Sequence, residues 1–180
     1  MSDRPQKITP LLEEKLKKVR ILLLDVDGVL TDGGIYLGSD AQEFKRFDVQ
    51  DGLGIRMVRL GEIKVGLITG RQSESVSIRA QELGIDAYRQ GVTDKLAAYR
   101  QIRDASDCTD EAVCYVGDDL SDLAVMGKAG VSIAVKNARW DVKQRADYIT
   151  DSTGGYGAVR EVTDLILKVQ GRWETVMASL

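Results

Sequence analysis

Short uninterrupted apolar runs alternate with amphipathic stretches along most of this chain. Short apolar runs of two to six residues predict strands, the longer ones buried on both faces. They fall at Arg20–Asp25, Lys64–Ile68, Ala87–Tyr88, Ala112–Val116, Val131–Ala134 and Tyr148–Ile149. Between them, helical spacing of apolar positions predicts helices over Leu53–Leu60, Glu74–Leu83, Asp94–Ala105, Leu120–Lys128, Ala138–Gln144 and Tyr156–Val169. A further short helix is predicted over Leu11–Val19, with Thr9 as its cap and Pro10 at its first position. Strands separated by helices of this length predict an α/β fold with a parallel sheet covered on both faces.

One stretch breaks the alternation. Gly34–Leu37 and Glu43–Phe47 flank Gly38-Ser39-Asp40-Ala41, which predicts a β-hairpin. The segment from Gly171 to Leu180 carries no clear role in a core. The simplest organisation is one domain, residues 1–180, with a hairpin insertion at 33–47 and a carboxyl-terminal tail at 171–180.

The strand ends carry the polar groups. The first strand runs into Asp25-Val26-Asp27-Gly28, two carboxylates two residues apart. At about 4 Å and an effective dielectric near 20, two such charges repel by roughly 4 kcal/mol. A hard divalent cation with oxygen ligands would offset this. Lys64–Ile68 ends in Thr69-Gly70-Arg71, and Ala112–Val116 ends in Gly117-Asp118-Asp119, with Asp122 one turn on. Thr93-Asp94-Lys95 opens a helix. Each group also has an ordinary structural reading: a turn, a helix cap, a solvated lysine. Parallel strands align their carboxyl ends on one edge, so four such segments favour a shared site.

Composition narrows the chemistry. Histidine is absent, which removes Ser-His-Asp, Cys-His and phosphohistidine mechanisms and the commonest zinc ligand. A net charge of −3 without a basic run disfavours nucleic-acid binding. The two cysteines, Cys108 and Cys114, fit reduced thiols. Met1–Pro10 lacks the apolar core of a signal peptide and no apolar stretch is of membrane-spanning length, so a cytoplasmic location without a membrane partner is expected.

The assembled groups suit a phosphate ester. Asp25 can be a nucleophile that forms an aspartyl phosphate. Asp27 can protonate the leaving oxygen and then activate water. Thr69 and the backbone N–H of Gly70 can hold phosphoryl oxygens at a helix amino terminus. Lys95 can neutralise both phosphate and Asp25. Asp118 and Asp25 can hold Mg²⁺.

With four motifs in order, namely Asp25-Val26-Asp27-Gly28-Val29, Thr69, Lys95 and Gly117-Asp118-Asp119 with Asp122, the chain resembles the haloacid dehalogenase (HAD) superfamily. The resemblance implies a Rossmann-like three-layer α/β/α sandwich without a large cap domain. It implies Mg²⁺ ligands at Asp25, the main-chain carbonyl of Asp27, and Asp118, with Asp119 and Asp122 in support. Gly28, Thr69, Gly70, Arg71 and Lys95 would contact substrate.

From about Val19 to Gly171 the chain is similar to the branch acting on 3-deoxy-D-manno-octulosonate (KDO) 8-phosphate, in lipopolysaccharide precursor biosynthesis. The matching stretches are residues 27–33, 47–52, 68–71, 91–95 and 154–161. This likeness implies a homotetramer assembled through the hairpin, with Ile35, Tyr36, Phe44 and Phe47 at the interface. A neighbouring subunit, including its carboxyl tail, would help close the active site. Arg71 and Gly84 favour the eight-carbon acid over a nine-carbon sugar acid 9-phosphate. Ser121 and Tyr156 depart from the family pattern, at positions that bear on substrate contacts. Two rival readings are a HAD phosphatase for another sugar acid phosphate and a non-catalytic receiver or scaffold.

Overall fold

The computed structural model describes residues 8–40 and 42–180. At its centre lies β1 (Ile21–Leu24), four aliphatic residues with no solvent exposure. Parallel neighbours flank it on both sides, β4 (Lys64–Ile68) and β6 (Val113–Gly117). Outside these lie β5 (Ala87–Arg89), β7 (Val131–Ala134) and β8 (Tyr148–Ile149), giving the order β5-β4-β1-β6-β7-β8. All five pairings are parallel. The carboxyl ends of β1, β4 and β6 therefore share one edge, as the apolar runs required.

Caps set the helix starts. Thr9 Oγ1 accepts from the N–H of Leu12 at 3.2 Å, and Pro10 occupies the first turn of α1 (Pro10–Lys17). Asp48 caps α2 (Val49–Leu60), so this helix begins four residues earlier than its apolar pattern indicates. Helix α3 (Glu74–Leu83) has its expected bounds and stops at Gly84, in the left-handed conformation at φ +63°. Asp94 caps α4 (Lys95–Ala105) through the N–H of Ala97, so it precedes the helix.

The expected helix over Leu120–Lys128 is divided. A 3₁₀ turn (Leu120–Asp122) precedes α5 (Leu123–Met126), because the Asp122 carboxylate folds back onto the N–H groups of Asp118 and Asp119. Helix α6 (Trp140–Lys143) is shorter than expected. Helix α7 (Ala158–Val169) starts after Gly157, at φ +91°. There the buried Asp51 carboxylate of α2 accepts from the N–H groups of Gly157 and Arg160.

The hairpin forms, with shorter strands than expected. Strands β2 (Tyr36–Leu37) and β3 (Glu43–Phe44) pair antiparallel, and Ala41 of the expected turn lies outside the described residues. Ile35, Tyr36 and Phe44 are exposed. Phe47 is half-buried and packs against the core, beneath Arg79. The tail also departs from expectation. It forms α8 (Trp173–Met177), with Val176 buried in the core and Trp173 packed against it. Among the described residues, no helix is long and apolar enough to cross a membrane.

Candidate active site

Asp25 leaves β1 with its N–H bound to the carbonyl of Val116 at 3.0 Å. A tight loop follows, organised by the buried Thr31, whose hydroxyl donates to the Val26 carbonyl and accepts from the N–H of Gly33. Gly28 sits in this loop at φ +96°, where a Cβ would stand 2.8 Å from the carboxyl carbon of Asp118. The missing side chain lets the Asp118 carboxylate lie against the loop. Behind the loop, a Cβ on Gly154 would stand 2.6 Å from the carbonyl carbon of Gly28. Asn137 joins the two segments. It donates to the Gly28 carbonyl at 3.3 Å and accepts from the N–H of Gly154 at 2.8 Å.

One carboxylate oxygen from each of Asp25, Asp118 and Asp122 lies within 4.8 Å of the others. Asp122 is wholly engaged. Its Oδ1 accepts from Lys95 Nζ at 2.8 Å and from the Tyr115 hydroxyl at 2.7 Å. Its Oδ2 accepts the N–H groups of Asp118 and Asp119 at 3.0 and 3.1 Å. A carboxylate has about four acceptor sites, and all are taken. Asp122 therefore positions Lys95 and the Gly117–Asp119 backbone.

Asp25 and Asp118 are different. Lys95 Nζ lies 2.9 Å from Asp25 Oδ1, and Asp118 Oδ1 is buried without a hydrogen-bond partner among the described residues. Burial, then the charge of Asp122, pushes the Asp25 carboxyl up, against the pull of Lys95. Burial, then the charges of Asp25, Asp122 and Asp119, pushes Asp118 up. An orphaned buried oxygen beside a second carboxylate fits a hard divalent cation. The Asp27 carboxylate stands apart from this cluster.

These groups line a cavity of about 440 Å³, with Asp25, Asp27, Thr69, Gly70, Arg71, Lys95, Asp118, Asp119 and Ser121 in its wall. Asp119 Oδ1 also caps the 3₁₀ turn through the N–H of Leu120. Thr69 is buried, as a group facing the cavity from a strand end should be. It does not lie at a helix amino terminus, contrary to expectation. The loop after it pairs with the β5–α4 connection, Gly91 N–H to the Arg71 carbonyl and Ser73 N–H to Gln90 Oε1, which delays α3 to Glu74. The helix that opens at the cavity is α4, whose first residue is Lys95.

The hairpin reaches into the site. Lys45, whose side chain is wholly buried, ion-pairs with Asp27 Oδ1, and its Nζ lies 3.2 Å from Glu43 Oε1. Glu43 Oε2 in turn accepts from Arg71 at 2.6 Å. The Arg71 guanidinium draws the Glu43 carboxyl down to about 2. Sequence reading placed Arg71 at the site and missed Glu43, Lys45, Tyr115 and Asn137. The period-two spacing of Glu43 and Lys45 puts both on one face of the strand and was the available signal. Tyr115 and Asn137 gave none.

Strand-end acids, a lysine and a threonine around one cavity are the arrangement that a phosphotransferase site requires. The profile of the haloacid dehalogenase-like hydrolase family matches residues 85–162. The chain is 46% identical to the 3-deoxy-D-manno-octulosonate 8-phosphate phosphatase KdsC of Salmonella typhimurium over 165 residues, 92% of this chain and 88% of that protein. The chain belongs to the KdsC phosphatase family. Among solved KdsC structures, that from Yersinia pestis superposes with a TM-score of 0.90 at 44% identity, covering 92% of this chain and 89% of that one. The KdsC phosphatase from Moraxella catarrhalis, solved with magnesium ion, phosphate ion and KDO, gives 0.90 at 42% identity, covering 93% and 96%.

Proposed function

We propose that this chain is a Mg²⁺-dependent phosphomonoesterase that hydrolyses KDO 8-phosphate to KDO and phosphate. The observation that carries the reading is Asp25. It is held between Lys95 and the orphaned Asp118 carboxylate on the wall of a cavity that Arg71 also lines. Family membership supports the substrate, and the Moraxella catarrhalis relative was solved with the corresponding products.

In this reading Asp25 attacks phosphorus, and the bond from phosphorus to the sugar oxygen breaks. Asp27 gives its proton to that oxygen, releasing the sugar and leaving an aspartyl phosphate. Asp27, now a carboxylate, takes a proton from water as the water attacks phosphorus. Phosphate leaves and Asp25 is regenerated. Thr69, the N–H of Gly70, and Lys95 hold phosphoryl oxygens. Gly28 would contact substrate from the loop through its backbone, and Arg71 takes the sugar carboxylate. Asp25, the Asp27 carbonyl and Asp118 would hold Mg²⁺, with Asp119 and Asp122 in support, and the ion would supply positive charge to the phosphoryl group.

The reading includes a cytoplasmic enzyme of lipopolysaccharide precursor biosynthesis that assembles as a homotetramer through the hairpin. The exposed Ile35, Tyr36 and Phe44 support the contact. Phosphate release from KDO 8-phosphate, a nine-carbon sugar acid 9-phosphate and simple sugar phosphates, with Mg²⁺ and with chelator, tests the function. Mg²⁺-dependent release from KDO 8-phosphate far above the others is expected. Equal, slow release from all would overturn the substrate, and no release from any would overturn the phosphatase.

A further inference from the structure

A lysine buried in full is costly unless its charge is paired. Lys45 carries such a charge and finds two carboxylates, Asp27 and Glu43. It comes from the hairpin, an element outside the central sheet, and its partner Asp27 lies in the loop that leaves β1. The ion pair is made to one oxygen of Asp27. Lys45 holds Oδ1, and among the described residues nothing hydrogen-bonds Oδ2. Asp27 lines the cavity, so Oδ2 is the oxygen left to meet substrate.

We propose that Lys45 is a positioning residue for the phosphatase reaction: it fixes the rotation of the Asp27 carboxyl, so that Oδ2 alone carries the transferred proton. Glu43 holds Lys45 in place and ties it to Arg71, which couples the proton donor to the group that takes the sugar carboxylate. The proton on Oδ2 passes to the ester oxygen as the phosphorus–oxygen bond breaks, and Oδ2 later receives the proton of the attacking water. The inference rests on the phosphatase reading above, but not on the identity of the sugar.

That independence sets the test. Pre-steady-state release of the leaving group is measured for KDO 8-phosphate and for a series of aryl phosphates of decreasing leaving-group basicity, with Mg²⁺. A nitrophenolate departs without a proton, whereas a sugar alkoxide needs one. In Lys45→Met the rate with basic leaving groups should fall about tenfold to hundredfold with KM little changed. The nitrophenyl phosphate burst should fall less than about threefold. Lys45→Arg should recover most of the loss. An equal loss for every leaving group would mean a merely structural role and overturn the proposal, as would no loss. Where Lys45→Met does not fold, Glu43→Gln, which loosens Lys45 without touching Asp27, is read by the same slope. A parent enzyme active on aryl phosphates but not on KDO 8-phosphate would overturn the substrate alone, and the aryl series would still decide on Lys45. A parent inactive on every ester would overturn both.

Discussion

A Cβ on Gly28 would stand 2.8 Å from the carboxyl carbon of Asp118 and closer still to its Oδ2. The positive φ of Gly28 adds strain to any substitution. Gly28→Ala should therefore displace Asp118 and raise the Mg²⁺ concentration for half-maximal turnover about tenfold or more, with a stability loss of about 1–2 kcal/mol. A Mg²⁺ titration of activity beside a urea melt checks both. An unchanged Mg²⁺ requirement would break the link between Gly28 and the metal site.

Asp25 and Asp118 repel each other in a buried site, and Lys95 offsets only part of their charge. A cation bound only by the folded chain stabilises it by about 2.7 kcal/mol at a hundred times its dissociation constant. Mg²⁺ should thus raise the melting temperature, chelator should reverse the rise, and Asp118→Asn should abolish most of it. Scanning calorimetry with and without the ion provides the measurement.

Asp51 gives a pH dependence remote from the cavity. Burial raises its carboxyl from 3.8 to about 6, although the N–H groups of Arg160, Gly157 and Val159 pull the other way. Between those values the folded chain keeps a proton that the unfolded chain has lost. Stability from this group is full below about pH 4 and declines as pH rises toward 6, by about 3 kcal/mol in all. Asp51→Asn keeps one acceptor for α7 and removes the charge, so its urea midpoint should decline less than the parent's across that window. Parallel declines would remove Asp51 as the source.

Val176 tests the tail. Its side chain is buried at 3% exposure, and Arg172 of the same segment donates to the Gly61 carbonyl. Val176→Ala should cost about 2 kcal/mol. Deleting residues 171–180 should lower the melting temperature as well as any turnover, whereas a pure lid would lower turnover alone.

The sheet was legible because β1, β4, β6 and β7 are nearly all apolar, and α1 because Thr9 and Pro10 mark its start by local chemistry. The gathering of Asp25, Thr69, Lys95 and Asp118 followed from parallel strands alone. What escaped depends on side chains that meet across long stretches of sequence. Asp122 breaks a helix by turning back, and nothing in Leu120–Lys128 records its four partners. Lys45 looked like any lysine on a strand until Asp27 and Glu43 stood beside it. Val176 lies in a segment too short for periodicity to report.

The contact between Gly28 and Gly154 has a bearing on how the molecule is made. During synthesis Asp25 leaves the ribosome long before Gly154, and a domain folds as a unit. Until Asn137 and Gly154 arrive, the Gly28 carbonyl lacks its partner and the loop lacks its back wall. A nascent chain stopped short of Gly154 therefore has no back wall for the loop at Asp25. The capacity to react waits on a part of the chain that is made after every other residue of the site.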